Sequence, residues 1–436
     1  MVRKYPVNPF ADASAETEVE PIRERWHSPP EPVQRKETTL ARLAYAFFWL
    51  FVFAIPWENA LILPGLGTVS RLLGLVALPV GLLAILDSGR LRVPSAPLIL
   101  MALFVVWGSL SYWWTVDPEA TTTLTVSWIQ YLGMVWLIWE LAPQREKLLG
   151  LMQAYVFGTV ISAGDTVLTY LSGNAIYYQR YAGSGFDPND LGLILALSLP
   201  ISFYLVSTQK RGPLVWIYFA QQIIALVAIA LTSSRGAVIA TLVALLFVPL
   251  SSARMSFRQK GAFLLLGVIA ISCALIYLPE SSWKRLGGIS AEIEEGTWNS
   301  RKLIWSVGLE LFEDHPLRGV GAGGFSASLQ RVLAIEQVAH NTFLSVLIEE
   351  GLIGFSILLL SLMALVLPAL RLPALERNLW LVLLATWGAG VSTLTWENRK
   401  PTWFVFGLLA AWLATAAPFV RRKGPRPELV HRLMNS

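Results

Sequence analysis

Twelve apolar runs, each near the length a helix needs to cross a bilayer, occupy most of this chain. They lie at approximately 40–56, 66–86, 97–114, 121–141, 147–171, 190–207, 213–232, 235–250, 260–278, 347–369, 378–395 and 401–419. The runs are continuous rather than alternating. That predicts helices and not barrel strands, because a lone spanning segment must satisfy its own backbone hydrogen bonds. Only 14% of the 436 residues are charged and 55% are hydrophobic, too little polar surface to cover a soluble globule of this size. A cytosolic enzyme, a secreted disulfide-rich module and a disordered chain are therefore disfavoured. The expected fold class is an all-α polytopic membrane protein with about twelve transmembrane helices. Cys273 is the single cysteine, so there is no intrachain disulfide and no cysteine metal site.

Residues 1–39 are polar and aperiodic and read as a disordered tail. They are not a signal peptide, because the first apolar run comes late and lacks a small-residue cleavage site. Nine helices are expected over 40–278, a long loop over 279–346, three helices over 347–419 and a basic tail over 420–436. Twelve spans put both termini on one side. That side carries Arg3, Lys4, Arg23, Arg25, Arg35, Lys36 and Arg42, and its short loops hold Arg90, Arg92, Arg145, Lys147, Lys210, Arg211, Arg254, Arg258, Lys260, Arg371 and Arg377. Arg421, Arg422, Lys423, Arg426 and Arg432 follow in the C-terminal tail. By the positive-inside rule this is the cytoplasmic side. The net charge of +5 thus reflects orientation and not nucleic acid.

The outer side then owns the loops at about 57–66, 115–120, 172–189, 232–235, 279–346 and 396–400, the fifth being by far the longest. Chemistry is expected there, since the inner loops are too short to house it. Trp57, Trp113, Trp114, Trp283, Trp396 and Trp403 fall near outer span ends, as an interfacial aromatic belt would. The cations that orientation leaves unexplained are Arg71, Arg180, Arg235, Lys284, Arg285, Arg301, Lys302, Arg318, Arg331, Arg399 and Lys400.

Arg235 sits in Thr232-Ser233-Ser234-Arg235-Gly236, a tight connection between two apolar runs. An arginine there either snorkels to the headgroups or meets something anionic, and its small neighbours would let a bulky anion approach. Arg301 opens an amphipathic helix running to Phe312, with Asn299 or Ser300 as N-cap and Trp305, Leu309 and Phe312 continuing its face. A solvated charge on a helix lying on the membrane is the plainer alternative. Arg180 lies among Tyr177, Tyr178 and Tyr181 before Gly183-Ser184-Gly185-Phe186-Asp187-Pro188-Asn189-Asp190. That pattern fits a sugar platform with a phosphate contact, or an irregular loop with an Arg–Asp pair.

His315, before Pro316, suits a helix end, where it would cap carbonyls. His340, in Val338-Ala339-His340-Asn341-Thr342, marks the return to the membrane and is a candidate general base, or else a structural histidine. Gly319-Val320-Gly321-Ala322-Gly323-Gly324 fits GxGxxG. It lacks the βαβ setting of a dinucleotide fingerprint and reads as a turn, with backbone N–H groups near an anion as a lesser reading. Asp187, Asp190, Glu313, Asp314, Glu349 and Glu350 have no metal-cage spacing, so no cofactor or metal is expected. Arginine forks can neutralise a pyrophosphate without a divalent ion.

Several segments together resemble the O-antigen ligase family of bacterial polysaccharide ligases (WaaL-like) and related polymerases (Wzy-like). They are Arg301-Lys302-Leu303-Ile304-Trp305, His315 through Phe325, Ala339-His340-Asn341-Thr342-Phe343-Leu344, Glu350-Gly351-Leu352-Ile353-Gly354, Thr232 through Ala237 and Gly183 through Gly192. The resemblance implies a GT-C-type glycosyltransferase of the bacterial inner membrane with a periplasmic active site. Its donor would be a glycan on undecaprenyl pyrophosphate. Its acceptor would be a sugar hydroxyl of lipid A core in lipopolysaccharide biosynthesis, or a second lipid-linked glycan in a polymerase. On that reading Arg235 and Arg301 clamp the pyrophosphate and His340 takes the acceptor's proton. Arg180, His315 and Arg318 are candidate donor or glycan contacts, and the transfer is metal-independent and inverting. The rival from another class is a lipid-linked glycan transporter. It would place ionisable groups mid-span on broken helices in repeated halves, whereas the polar groups here gather at one face.

Overall fold

A computed structural model describes residues 38–65, 67–89, 91–175, 180–183, 185–208, 212–251 and 297–421, with isolated positions between 257 and 272. The expected N-terminal tail, the run at 260–278, the first part of the long loop with Lys284 and Arg285, and the basic tail beyond 421 lie outside the described residues. So do Tyr177 and Tyr178.

The elements are α1 (Thr39–Ala54), β1 (Ile62–Leu63), β2 (Gly67–Thr68), α2 (Val69–Ser88), α3 (Ala96–Leu110), α4 (Pro118–Leu141), α5 (Arg145–Leu171), α6 (Pro188–Thr208), α7 (Pro213–Thr232), α8 (Arg235–Leu245), α9 (Phe247–Ser251), α10 (Thr297–Asp314), α11 (Phe325–Leu333), α12 (Thr342–Ala369), α13 (Ala374–Val391) and α14 (Lys400–Arg421). Single turns of 3-10 helix extend α1 and α3. The two strands form a small antiparallel hairpin across the expected loop at 57–66 and the first residues of the run at 66–86. Among the described residues, eight helices, α1 to α7 and α12, are long and apolar enough to cross a membrane. The runs that become α8, α13 and α14 are helical but not among those eight.

α6 is the axis of the bundle. Its apolar window is 89% buried, and α5, α7, α8 and α13 surround it. Composition alone does not decide this, since α2, α7 and α12 are more apolar than α6 and far less buried; its place among the neighbouring helices does. Residues from alternate connections meet at the same ends. At one end Arg145 pairs with Glu376 and donates to the Tyr204 hydroxyl (2.7 Å), while Arg92 lies 4.2 Å over the Trp139 ring. At the other, Lys400 pairs with Glu58, Arg399 with Asp190 at 2.6 Å, and Asn59 donates to the Gly185 carbonyl at 3.2 Å. The alternation expected from span parity therefore holds across these connections.

α12 is broken at Gly351, where the backbone takes φ 64° and ψ −170°. A break inside an apolar helix strands donors and acceptors, and each finds a substitute here. The Ile348 and Glu349 carbonyls accept from the N–H groups of Val320 (3.0 Å) and Gly321 (2.9 Å). The Glu350 carbonyl accepts from Trp107 Nε1 at 2.9 Å. Leu352 and Ile353 donate to the carbonyls of Pro316 (2.8 Å) and Leu317 (3.2 Å). A Cβ at Gly351 would sit 2.4 Å from Leu317 C and O, so only glycine lets the 316–321 loop close on the break. The glycine-rich turn is thus threaded against α12 as a structural wedge.

Candidate active site

The polar end of the bundle holds a cavity of about 700 Å³. Its walls come from α4 (Asp117, Glu119, Thr123), the start of α6 (Asp187, Asn189, Asp190), the glycine-rich turn with α11, and the α13–α14 connection (Thr395, Glu397, Asn398, Arg399). His340 and Glu349 complete it.

The segment before α12 is built to hold His340. Trp305 Nε1 donates to the Ala339 carbonyl at 2.8 Å. Asn341 caps α12, its Oδ1 accepting from the Leu344 N–H at 3.1 Å. Thr342 Oγ1 donates to the Leu394 carbonyl (2.9 Å) and accepts from the Trp396 N–H (2.7 Å), tying this segment to the α13–α14 connection. Between those anchors His340 takes φ 50°, a left-handed backbone unusual for a residue with a side chain. Its imidazole is half-buried. Burial, then the Arg301 guanidinium, hold it below its ordinary 6.5, while Asp187 acts in the opposite sense. Asp187 lines the same cavity as His340, whereas Arg301 does not.

Glu349 explains the turn. Its carboxylate accepts from the N–H groups of Gly323 (2.9 Å) and Phe325 (3.3 Å), and so holds the start of α11. The group cradled by this turn is a side chain of the protein itself. Opposite, Trp396 Nε1 donates to Asp190 Oδ1 at 2.9 Å. Trp403 Nε1 donates to the Glu397 carbonyl at 2.9 Å. Trp396 and Trp403 are buried, so they are core braces of the cavity and not part of an aromatic belt; Trp113 is exposed. Thr395 Oγ1, one Glu397 carboxylate oxygen and Asn398 Oδ1 are buried without a hydrogen-bond partner. Burial raises the Glu397 carboxyl above its usual range, against Ser345 and Arg399.

The expected arginines are placed as follows. Arg235 is the first residue of α8, capped by Ser234 Oγ, which accepts from the Ala237 N–H at 3.3 Å. Ser233 turns the chain through φ 50°. Gly236 is small for packing, not for ligand access: a Cβ there would lie 2.3 Å from Thr393 Oγ1. Arg180 is 3% exposed and acts as a brace, Nε donating to the Thr232 carbonyl (2.8 Å) and Nη2 to Asn189 Oδ1 (2.8 Å), which also accepts from Ser234 Oγ (2.8 Å). It ties the Asp187–Asp190 segment to the turn that carries Arg235 without itself lining the cavity. His315 and Arg318 are exposed and do not line the cavity. In α10 Ile304 and Val307 are buried with Phe325 and Ile348, and Trp305, Leu311 and Phe312 pack partly against them; Leu309, expected to continue the face of Trp305 and Phe312, is 46% exposed. The helix is therefore rotated toward the i, i+3, i+7 stripe.

Residues 222–360 match the family described as O-antigen ligase. That match supports the family resemblance carried by the sequence motifs. No curated protein matches it. The family segment contains Arg235, Arg301, the glycine-rich turn, His340 and Glu349, whereas Asp117, Asp187–Asp190 and Thr395–Arg399 lie outside it. The cavity joins the end of the glycine-rich turn, His340 and Glu349 to the second set; Arg235 and Arg301 do not line it. Sequence reading passed over Asp117, Glu119, Glu397 and Asn398. The available signal was polar residues crowded into short connections between apolar runs, where the oil-like surroundings make every polar group expensive.

Proposed function

We propose that this chain is a glycosyltransferase of the bacterial inner membrane. It moves a glycan from undecaprenyl pyrophosphate to a sugar hydroxyl of lipid A core at the periplasmic face, with both termini cytoplasmic. The observation that carries this reading is His340, half-buried at the wall of a cavity rich in carboxyl and amide groups, where burial and Arg301 disfavour its charged form. A neutral imidazole accepts a proton.

The acceptor hydroxyl gives its proton to His340 while its oxygen attacks the anomeric carbon. The bond from that carbon to the pyrophosphate oxygen breaks, and the electron pair leaves with the lipid pyrophosphate. One displacement inverts the anomeric centre. Arg301 and Arg235 stabilise the charge that develops on the leaving group, and Asp187 stabilises the imidazolium that forms. The cavity lining is acidic, which suits a polyhydroxylated acceptor better than phosphate. The pyrophosphate accordingly belongs on the side of the arginines of α8 and α10. Thr395, Glu397 and Asn398 offer unused hydrogen-bonding atoms to the sugar. Arg180 supports the arrangement through Asn189, and the exposed His315 and Arg318 are left for contact with the distal glycan.

The test is incubation of the purified protein with undecaprenyl-pyrophosphate glycan and either rough lipopolysaccharide or a second donor molecule. Glycan on lipopolysaccharide supports the ligase; elongated donor makes it a polymerase; movement across liposomes without a new glycosidic bond makes it a transporter. Arg235→Ala and Arg301→Ala are expected to lower transfer by roughly 10²–10³-fold while the protein still inserts.

A further inference from the structure

Arg71 is an outer-end cation that the reaction scheme leaves unused. It lies in the first turn of α2, is exposed, and has no side-chain partner among the described residues. Beneath it runs a groove of about 630 Å³ between α1, α2 and α4, within the range of ligand sites. Phe51, Leu75, Leu78, Val126, Met134 and Leu137 make its depth apolar. Its upper rim is polar, with Arg71, Thr68, Ser70, Gln130 and Lys400. Lys400 is already neutralised by Glu58, so Arg71 supplies the net charge. The groove also meets the cavity of His340: Thr123 lines both, and Lys400 follows Arg399 directly.

An apolar trough with an unpaired guanidinium at its mouth is complementary to an amphiphile with an anionic head. Arginine suits phosphate, whose oxygens match its fork. We propose that this groove binds the acceptor lipid: the acyl chains lie between α2 and α4, a headgroup phosphate meets Arg71, and the sugar passes Thr123 toward His340. The assignment as acceptor rests on the function proposed above. The donor's pyrophosphate is bound by arginines from α8 and α10, which leaves the approach from α2 and α4 to the second lipid.

The groove is tested on the full chain in detergent with phosphatidic acid carrying a diazirine in its acyl chain. The control is the matching diacylglycerol, which lacks the phosphate. Phosphatidic acid is expected to label the 69–88 and 122–137 segments at least about fivefold more than diacylglycerol. Arg71→Glu should remove that difference and Arg71→Lys should keep most of it; Val126→Trp should block labelling without altering the charge. Equal labelling by the two probes, or no response to Arg71→Glu, would mean bulk lipid alone fills the groove and would overturn the proposal. In the transfer assay Arg71→Glu should raise the acceptor KM about tenfold and leave the donor KM unchanged. A change confined to the donor KM would make this the donor's groove and equally overturn the assignment. Labelling that follows Arg71 in a protein that transfers nothing would instead retain the groove and remove the glycosyltransferase reading.

Discussion

Replacing Gly351 by alanine tests whether the broken α12 is what builds the cavity wall. The native backbone at φ 64°, ψ −170° lies in a region reserved for glycine, so alanine there costs about 1–3 kcal/mol. Its Cβ would also meet Leu317 C and O at 2.4 Å. If the loop retreats, the bonds from Leu352 and Ile353 are lost, at about 1 kcal/mol each or more when buried donors stay unpaired. The sum is on the order of 3–6 kcal/mol, a large part of a typical stability of about 5–15 kcal/mol. If α12 straightens instead, its carbonyls recover partners but Gly323 and Phe325 lose the Glu349 carboxylate. Either route dismantles the turn beside His340. Apparent melting temperature and transfer rate of the purified variant are measured together, with Gly388→Ala as control. Position 388 is helical with nothing within 4 Å of an added Cβ, so that change is expected to be neutral or to stabilise by about 0.5–1 kcal/mol. A Gly351→Ala protein with the melting temperature and transfer rate of the parent would refute the reasoning.

Transfer is expected to survive in excess chelator; loss that added Mg²⁺ or Mn²⁺ restores would show that a metal is required. The acid limb of the pH–rate profile should fall below 6.5, because burial and Arg301 disfavour the imidazolium, and activity is lost only as that form accumulates. Asp187→Asn removes the one charge acting the other way, so the limb should move to still lower pH; an upward shift would contradict the assignment. Glu397 takes up a proton more readily when folded, since burial raises its carboxyl above the ordinary 4.5. Its contribution to stability is therefore present at low pH and lost as pH rises. Glu397→Gln should melt higher than the parent near about pH 8 and lose that advantage toward about pH 4.5. The reverse trend would mean that Glu397 is held ionised by Arg399.

Much was legible in the sequence because the membrane leaves few choices. Apolar runs about 20 residues long must become helices, and their order assigns each connection to one end of the bundle. That reasoning grouped Arg235, Arg301 and His340 at one end, along with the family resemblance that residues 222–360 bear out. It also found α10, although not its rotation, since Trp305 and Leu309 satisfy one helical face as well as Ile304 and Val307 satisfy another.

The tertiary structure decided the rest. Whether Trp396 lies in a lipid belt or braces Asp190, and whether Gly236 admits a ligand or a neighbouring helix, depends on what stands opposite, and local sequence does not encode that. The break in α12 is the clearest instance. Glu349 and Glu350 interrupt the apolar run just before Gly351, but only the loop at 316–321, distant along the chain, makes it possible to open the helix there and satisfy the backbone on both sides. Hydropathy is a property of single segments, whereas a cavity is made by the meeting of several.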